Sequence, residues 1–590
     1  MEGRKLIAPQ TFTQRVRGDY EYNDTLTYLQ DGVPDSLAER SNGDPVYYGD
    51  QIALYTYVND NWRIRRNLTL NLGVRYEYTT VPYTKRLQSL NEAASVPGLV
   101  DFASPKAPTN NWGPRIGFAY SPGDSGKTSI RAGAGIAYDV LFDNLGLLSL
   151  PPQLSTTIDC APVGAYPCAS PFLANGGILA GPGGVVTYPS IAAQRAATSA
   201  FIPVNQKDPK SIDWTLGVQH SFGSDLVVEV RYVGTRGIHL PAQIRLNTQP
   251  VVTSTNFLPT YTTAPSQATL NALPIDLNTL ENEDPFVPAY EAAGFNQNFM
   301  TAYEPWASST YHGLAAQVNK KFSHGLQFVG AYTYSHNIDD ATAEVFSTVL
   351  APRRAENGLN LNADRANSIL DHRHRFTISI VYDEPFFKNS NAFLRNTVGG
   401  WEIAPIYTYQ SGQWVTPQSV VDSNLNLDSA GDRVIANPNG TKGTGSAVIP
   451  LCNGTVAVCP GTLTDAQAKP AGVVGYLATN PNAQYIQAGY GALANVGRNV
   501  LQLDPTNNLD LTALKRFTIT ERYKIEFRAS ASNVLNHAQY IGGYLNDVAP
   551  IGFTGFERGF TEPSNAAFNQ PSQFFSSNPR QLTLVLKIFF

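Results

Sequence analysis

The chain has 590 residues and a formal net charge of −5; only 15% of it is charged while 11% is aromatic. No apolar run reaches the 18 or more residues of a membrane-spanning helix, which excludes that class. The acidic balance, with no basic stripe carrying interleaved aromatics, speaks against a nucleic-acid partner. Length alone allows roughly four ordinary domains, but an aromatic-rich, charge-poor chain with a mean hydropathy of −0.20 suits sheets with one apolar and one polar face.

The chain opens on MEGRKLIAPQTFTQ, which has neither an apolar core of signal-peptide length nor a small-residue cleavage site. That conflicts with export, and leaves either a cytosolic chain or a true start upstream of Met1 as the expectation. Period-2 segments then recur. NLTLNLGVRYEY sets Leu68, Leu70, Leu72, Val74, Tyr76 and Tyr78 against Asn67, Thr69, Asn71, Gly73, Arg75 and Glu77, and successive strand side chains point to opposite faces. DLVVEVRYVG sets Leu226, Val228, Val230 and Tyr232 against Glu229 and Arg231. LQFVGAYTYS sets Leu326, Phe328, Tyr332 and Tyr334 against Gln327, Thr333 and Ser335. YKIEFRASAS sets Tyr523, Ile525, Phe527, Ala529 and Ala531 against Lys524, Glu526, Arg528, Ser530 and Ser532. The last strand carries Leu582, Leu584, Leu586, Ile588 and Phe590 on one side.

Fourteen strands are expected, near 11–20, 47–60, 67–79, 112–121, 127–139, 211–221, 225–235, 309–322, 325–336, 372–383, 397–411, 508–518, 522–533 and 580–590. Each is about ten residues, the length a tilted strand needs to cross a bilayer. Short turns (121–127, 222–225, 322–325, 518–522) alternate with long Gly/Pro/Asn-rich stretches near 140–210, 236–308, 337–371, 412–507 and 538–579. Structureless loops beyond about 15 residues are uncommon in compact soluble domains. The short–long alternation predicts an all-β, antiparallel up-and-down transmembrane β-barrel with tight periplasmic turns, long extracellular loops and both ends in the periplasm. A soluble β-sandwich, propeller or lectin-like array also alternates, but it needs a core against the apolar face. It also leaves the Tyr and Phe near strand ends unexplained, where interfacial girdles account for them.

The four cysteines form two close pairs, Cys160/Cys168 and Cys452/Cys459, both in loop-like surroundings. Metal binding asks for tighter CxxC spacing and His partners, so two local disulfides in an oxidising compartment are the expectation, against free thiols. In DHRHRF, His372 and His374 share a strand face and Arg373 and Arg375 the other; two His without a third ligand read as a strand-start motif at the barrel rim, with metal binding as the alternative. DSNLNLDSAGDR places Asp422, Asn424, Asn426 and Asp428 at alternate positions, all oxygen donors. That is the pattern of a calcium loop, although Leu427 stands where an EF-hand has Gly, and a solvated loop with Asx turns is the alternative. Glycine runs such as GGWEI and GPGGVV lack the strand–helix context of a phosphate cradle. No GxSxG, HExxH or paired-carboxylate arrangement points to an enzyme. Arg75, Glu77, Glu229, Arg231, Lys524, Glu526 and Arg528 are candidates to line a lumen, either as ligand path or as cross-strand ion pairs.

Several segments resemble the C-terminal barrel of the Oar-like TonB-dependent transporters of outer membranes. They are NDNWRIRRNLTLNLGVRYE (59–77), NWGPRIGFAYSPGDSGKTSIRAGAGIAYD (111–139), WTLGVQHSFGSDLVVEVRYVGTRGIHL (214–240), YHGLAAQVNKKFSHGLQFVGAYTYSHNIDD (311–340), DHRHRFTISIVYDEPF (371–386), GGWEIAPIYTYQSGQ (399–413), the long run 495–537, and the terminal PRQLTLVLKIFF. The likeness touches nearly every expected strand in order. It implies an outer-membrane location, lipid as the surrounding partner, and a barrel of 22 strands with a plug in its lumen. It also implies that Phe590 is a signal to the barrel-assembly machinery, and it supports calcium at 422–428 through a similar Asp/Asn-rich stretch in the relatives. The family's signal peptide, carboxypeptidase-regulatory-like domain, TonB-contacting segment and plug have no counterpart here, so residues 1–590 are expected to be a C-terminal barrel fragment. Any link to the TonB system then runs through the missing plug region. The expected function is uptake or passage of a large solute; the alternative is a self-contained fourteen-strand outer-membrane channel or a surface-binding, adhesive barrel.

Overall fold

The computed structural model describes residues 2–590 apart from 8, 12–15, 44–45, 82–84, 124, 155, 162–166, 180–184, 343–351, 353, 388–389, 429–430, 455–457, 460–471, 521, 541–556 and 576. Fourteen strands follow one another in sequence order as one continuous antiparallel path: β1 (Glu2–Leu6), β2 (Gln51–Arg65), β3 (Leu68–Thr79), β4 (Asn111–Tyr120), β5 (Thr128–Tyr138), β6 (Lys210–Phe222), β7 (Leu226–Arg245), β8 (Thr301–Ser323), β9 (Leu326–Asp339), β10 (His374–Asp383), β11 (Trp401–Gln410), β12 (Thr506–Thr518), β13 (Lys524–Ser532) and β14 (Gln581–Phe589). Two short strands, Ala200–Phe201 and Ala366–Asn367, add to β8 and β9. Among the described residues β1 and β14 are not paired to each other.

Thirteen of the expected strands coincide with β2–β14; the first does not. In place of 11–20, the barrel strand is Glu2–Leu6, which registers from Glu2 against Tyr55 to Leu6 against Gln51. The expected run is broken by a turn at Val16–Arg17 and by Gly18 at φ +96°, a conformation that favours glycine. Beyond the turn, Asp19–Glu21 joins Leu37–Asn42 in the first long loop; residues 12–15 of that run lie outside the described residues.

The strand register explains the alternation. Leu70 and Leu72 of β3 stand opposite Phe118 and Ile116 of β4, which stand opposite Ala132 and Ala134 of β5. Leu216 and Val218 of β6 register against Ala132 and Ile130 on one side and Tyr232 and Val230 on the other. At the far end, Phe527 and Ala529 of β13 meet Leu586 and Leu584 of β14. A one-residue slip would flip a strand's whole apolar set, and from β2 to β14 the register shifts lie towards the strand ends, at Arg63–Arg65, Gly237–Ala242 and Lys320–Ser323. The face so formed is not covered: Leu582, Leu584, Leu586 and Ile588 are 59 to 66% exposed. A soluble layered array would bury them, so the second layer required by that rival is missing among the described residues.

The buried core lies instead in the long loops. Val251, Val252, Leu258, Leu277 and Leu280 of the β7–β8 loop pack with Leu425, Val448, Val473, Tyr476 and Ile486 of the β11–β12 loop. Ile369, Val415, Val434, Phe560, Phe568 and Phe575 join the β9–β10, β11–β12 and β13–β14 loops. Loops that look structureless in sequence thus form a packed cap on one side of the sheet, held by apolar burial worth roughly 25 cal/mol per Å². β7 and β8 reach into it. At 20 and 23 residues they exceed what a bilayer needs, and Ala242, Ile244, Ala302 and Ala307 on their outer ends are buried against the loops. Bulges between Gly237 and Ala242, around Pro241, mark where β7 continues past the regular ladder.

Candidate functional site

Opposite the apolar face lies a polar one, and all seven lumen candidates are on it by register. Their charges pair mainly along single strands rather than across them, because residues two apart on a strand share a face. Arg75 meets Glu77 at 2.9 Å and lies 4.8 Å over the Tyr55 ring. Arg231 pairs with Glu229 on β7. Glu526 receives Arg528 at 3.4 Å and the cross-strand Arg516 at 3.6 Å, and Arg516 also holds Glu402 at 2.7 Å. Lys524 starts β13 in register with Thr518 and Phe589. These ion pairs make the wall polar with little net charge.

Above the wall, buried charges tie the cap together. Arg498 pairs with Asp339 at the outer end of β9 and donates to the Asp364 carbonyl at 2.8 Å. Arg433, fully buried, pairs with Asp364, and its backbone N–H donates to Glu356 at 3.3 Å. Burial raises the Glu356 carboxyl, with Arg433 opposing. Asp432 is also fully buried: one oxygen accepts from the Ser423 hydroxyl at 3.2 Å and the other has no hydrogen-bond partner. Burial, then the nearby Asp422, Glu356 and Asp428, hold its pKa well above the carboxylate range. A charge leaving water for such a site neutralises or finds a partner. Arg433 and Asp364 take the second course, Asp432 the first.

The four residues expected to offer oxygens to calcium do come together, in a tight turn with Leu425 and Leu427 at φ +57° and +66°. Asp422 accepts from the N–H groups of Asn426 and Leu427 at 3.0 and 2.8 Å, Asn424 from Asn426 at 3.0 Å, and Asn426 from Asp428 at 2.8 Å. The Asp428 carboxylate is held by Arg354 at 2.5 and 2.6 Å and by Arg245 at 3.2 Å. These oxygens are directed at backbone N–H groups and guanidinium groups, and among the described residues no three His, Cys, Asp or Glu gather at one point.

His372 and His374 are likewise occupied. His372 contacts the Ser411 carbonyl at 2.6 Å and Gln410 at 3.0 Å, and His374 bonds the Tyr332 hydroxyl at 2.8 Å while stacking on that ring. They sit at the outer end of β10 among aromatics. Both disulfides form, Cys160–Cys168 and Cys452–Cys459, with Cα separations of 5.9 and 5.1 Å. The first packs beside Phe172 and Ile178, the second within the cap core. The Arg433–Asp364–Glu356 cluster was not expected from sequence: its members lie 69 and 77 residues apart in loops without periodicity.

A family model described as an outer membrane beta barrel domain matches residues 3–582. None of the curated proteins compared matches the chain. Among solved structures, the ferripyoverdine receptor of the outer membrane of Pseudomonas aeruginosa is 10% identical with a TM-score of 0.37, covering 92% of this chain and 39% of its own. The outer membrane transporter YddB from Escherichia coli is 10% identical with a TM-score of 0.36, covering 94% of this chain and 49% of its own. The siderophore receptor PirA from Acinetobacter baumannii is 8% identical with a TM-score of 0.38, covering 92% and 46%. The chain therefore spans less than half the length of these structures. With 580 of its 590 residues inside the family match and an uncovered apolar face running in register from β2 to β14, the chain belongs to the outer membrane β-barrel domain family and resides in the outer membrane.

Proposed function

We propose that this chain is the barrel portion of an Oar-like TonB-dependent transporter, passing a solute too large for a simple pore. The observation that carries the reading is the division of labour in the chain: lipid-facing strands of membrane length on one hand, and on the other a cap of interlocked loops resting on a polar wall. Such a cap is costly to order and suits selective capture better than free diffusion. The segment-by-segment likeness to the Oar-like barrels supports the finer assignment. In this reading the TonB system engages a plug region outside this chain, and Phe590 addresses the barrel-assembly machinery.

Two measurements test it. The DNA upstream of the Met1 codon is expected to carry a plug-encoding frame; an unrelated gene on the opposite strand there would overturn the assignment. Purified chain folded in detergent and placed in a planar bilayer is expected to give no steady pore without that plug-bearing part. A heat-modifiable barrel with constant ion conductance would favour a self-contained channel or adhesive barrel instead.

A further inference from the structure

A cavity of about 510 Å³ opens at the outer end of β5 and β6, beneath the loop segments carrying Lys106 and Lys207. Its lining includes three lysines, Lys106, Lys207 and Lys210. The backbone places them there: Lys106 forms a parallel bridge with Asn205, its N–H donating to the Val204 carbonyl at 2.8 Å, and Lys210 stands opposite Tyr138 in the β5–β6 register. Among the described residues the lysine engaged in an ion pair is Lys320, with Asp225; these three have no carboxylate within pairing distance. The single carboxylate in the lining, Asp208, is buried and accepts from the Asn111 amide at 2.6 Å. His239 adds a further ring nitrogen to the wall. Three ammonium groups against one carboxylate leave the lining net positive, and a bound anion offsets that charge.

The level in the membrane narrows the choice of anion. Lys210 and Tyr138 occupy the apolar, lipid-facing side of their strands, with the Lys210 ammonium 6.0 Å from the Tyr138 ring centre. In the same row on the neighbouring strands stand Tyr76 and Trp112, ring centres 4.7 Å apart, Trp112 being 56% exposed; the Tyr138 hydroxyl donates to the Trp112 carbonyl at 3.4 Å. Tyr and Trp so placed mark the boundary between hydrocarbon and headgroups. Lys210 stands in that row, at the first residue of β6, and Lys106 and Lys207 are on the loop segments that continue from the strand ends, on the outer side of the outer membrane, whose external leaflet is built of phosphorylated glycolipid. Basic pockets at headgroup depth bind anionic headgroups.

We propose that this cavity is a binding site for a phosphate group of an outer-leaflet glycolipid, held by Lys106, Lys207 and Lys210 with Tyr138 in its wall and Tyr76 and Trp112 on the neighbouring strands. The test uses the full chain purified in detergent and titrated with rough lipopolysaccharide, with the same glycolipid after enzymatic dephosphorylation, and with inorganic phosphate. Each Lys→Gln change is expected to weaken binding of the phosphorylated form about five-fold, and the triple K106Q/K207Q/K210Q about 100-fold. Lys442→Gln, an exposed lysine on a distant part of the cap, is expected to leave binding unchanged. Dephosphorylated glycolipid should bind wild type as weakly as the triple variant binds the intact one. A far-UV circular-dichroism spectrum matching wild type in every variant shows that the strands are kept. The assignment is overturned if the triple variant binds like wild type, or if phosphate removal has no effect. It is also overturned if millimolar inorganic phosphate displaces the glycolipid, which would make this a soluble-anion site.

Discussion

Asp208 shows how one residue's surroundings set a pH response. It is 6% exposed, and burial raises its pKa to about 6, the Asn111 bond opposing and the Glu77 and Asp139 charges adding. Because the folded value exceeds the unfolded 3.8, folding favours the protonated form. Stability from this group is therefore complete below about pH 4 and is lost as pH rises through 6. The loss is about 3 kcal/mol by pH 7. Asp208→Asn keeps an acceptor for Asn111 and removes the charge. Hydrogen-exchange protection across 200–210, corrected for intrinsic rate, should fall between pH 4 and 7 in wild type, stay flat in the variant, and be about 100-fold higher in the variant at pH 7. Equal profiles would show that Asp208 is ionised at no cost. At this scale sequence was a partial guide. Arg75, Glu77, Glu229, Arg231, Lys524, Glu526 and Arg528 were legible as one polar face because two-residue spacing decides which way a strand residue points. Asp208, Arg433 and Lys210 were not, since their roles come from loop segments brought together over long separations, which no local pattern records.

At the scale of elements, strands and loops answer to different forces. The strands from β2 onward were legible because hydrocarbon on one side and a polar lumen on the other impose alternation, as at Leu68 to Tyr78. Where that constraint ends, legibility ends: the outer halves of β7 and β8, with Pro241 and Pro305, follow the packing of the cap and were read as loop. The first strand was misplaced because Glu2–Leu6 has no apolar alternation and is held by its pairing with β2. Cap and barrel should accordingly lose structure separately. Leu280, fully buried between the β7–β8 and β11–β12 loops, is a suitable probe, since removing such a side chain costs about 2–5 kcal/mol. In Leu280→Ala, brief proteolysis of the folded protein is expected to cut within 246–300 and 411–505 at rates well above wild type, while the β-sheet signal in far-UV circular dichroism persists. If the barrel were lost with the cap, the two would be one cooperative unit and the picture of a separately packed cap would fail.

The whole molecule poses the question of its edges. β14 ends the strand path, and beyond β1 the flank of β2 from Thr56 onward has no neighbour among the described residues. In hydrocarbon an unpaired backbone N–H or C=O costs several kcal/mol, which is why membrane sheets close. The inserted protein must therefore satisfy both edges. Either they meet each other in a fourteen-strand barrel, or further strands come between them, as the proposed larger transporter requires. Cysteines distinguish the two geometries. Lumen-facing Thr583 of β14, replaced by cysteine, is scanned against single cysteines at Glu2, Arg4, Tyr57, Asn59 and Asn61, which share its face by register, in membrane-inserted protein, with the native Cys160–Cys168 and Cys452–Cys459 pairs as internal standards. Paired strands lie about 4.8 Å apart, within disulfide reach, whereas one intervening strand puts them beyond the roughly 7 Å Cα limit. The larger-barrel reading expects no cross-link at any register. A bond forming at one register, accompanied by steady conductance, would show that β1, β2 and β14 close the sheet among themselves and would replace that reading with a self-sufficient pore.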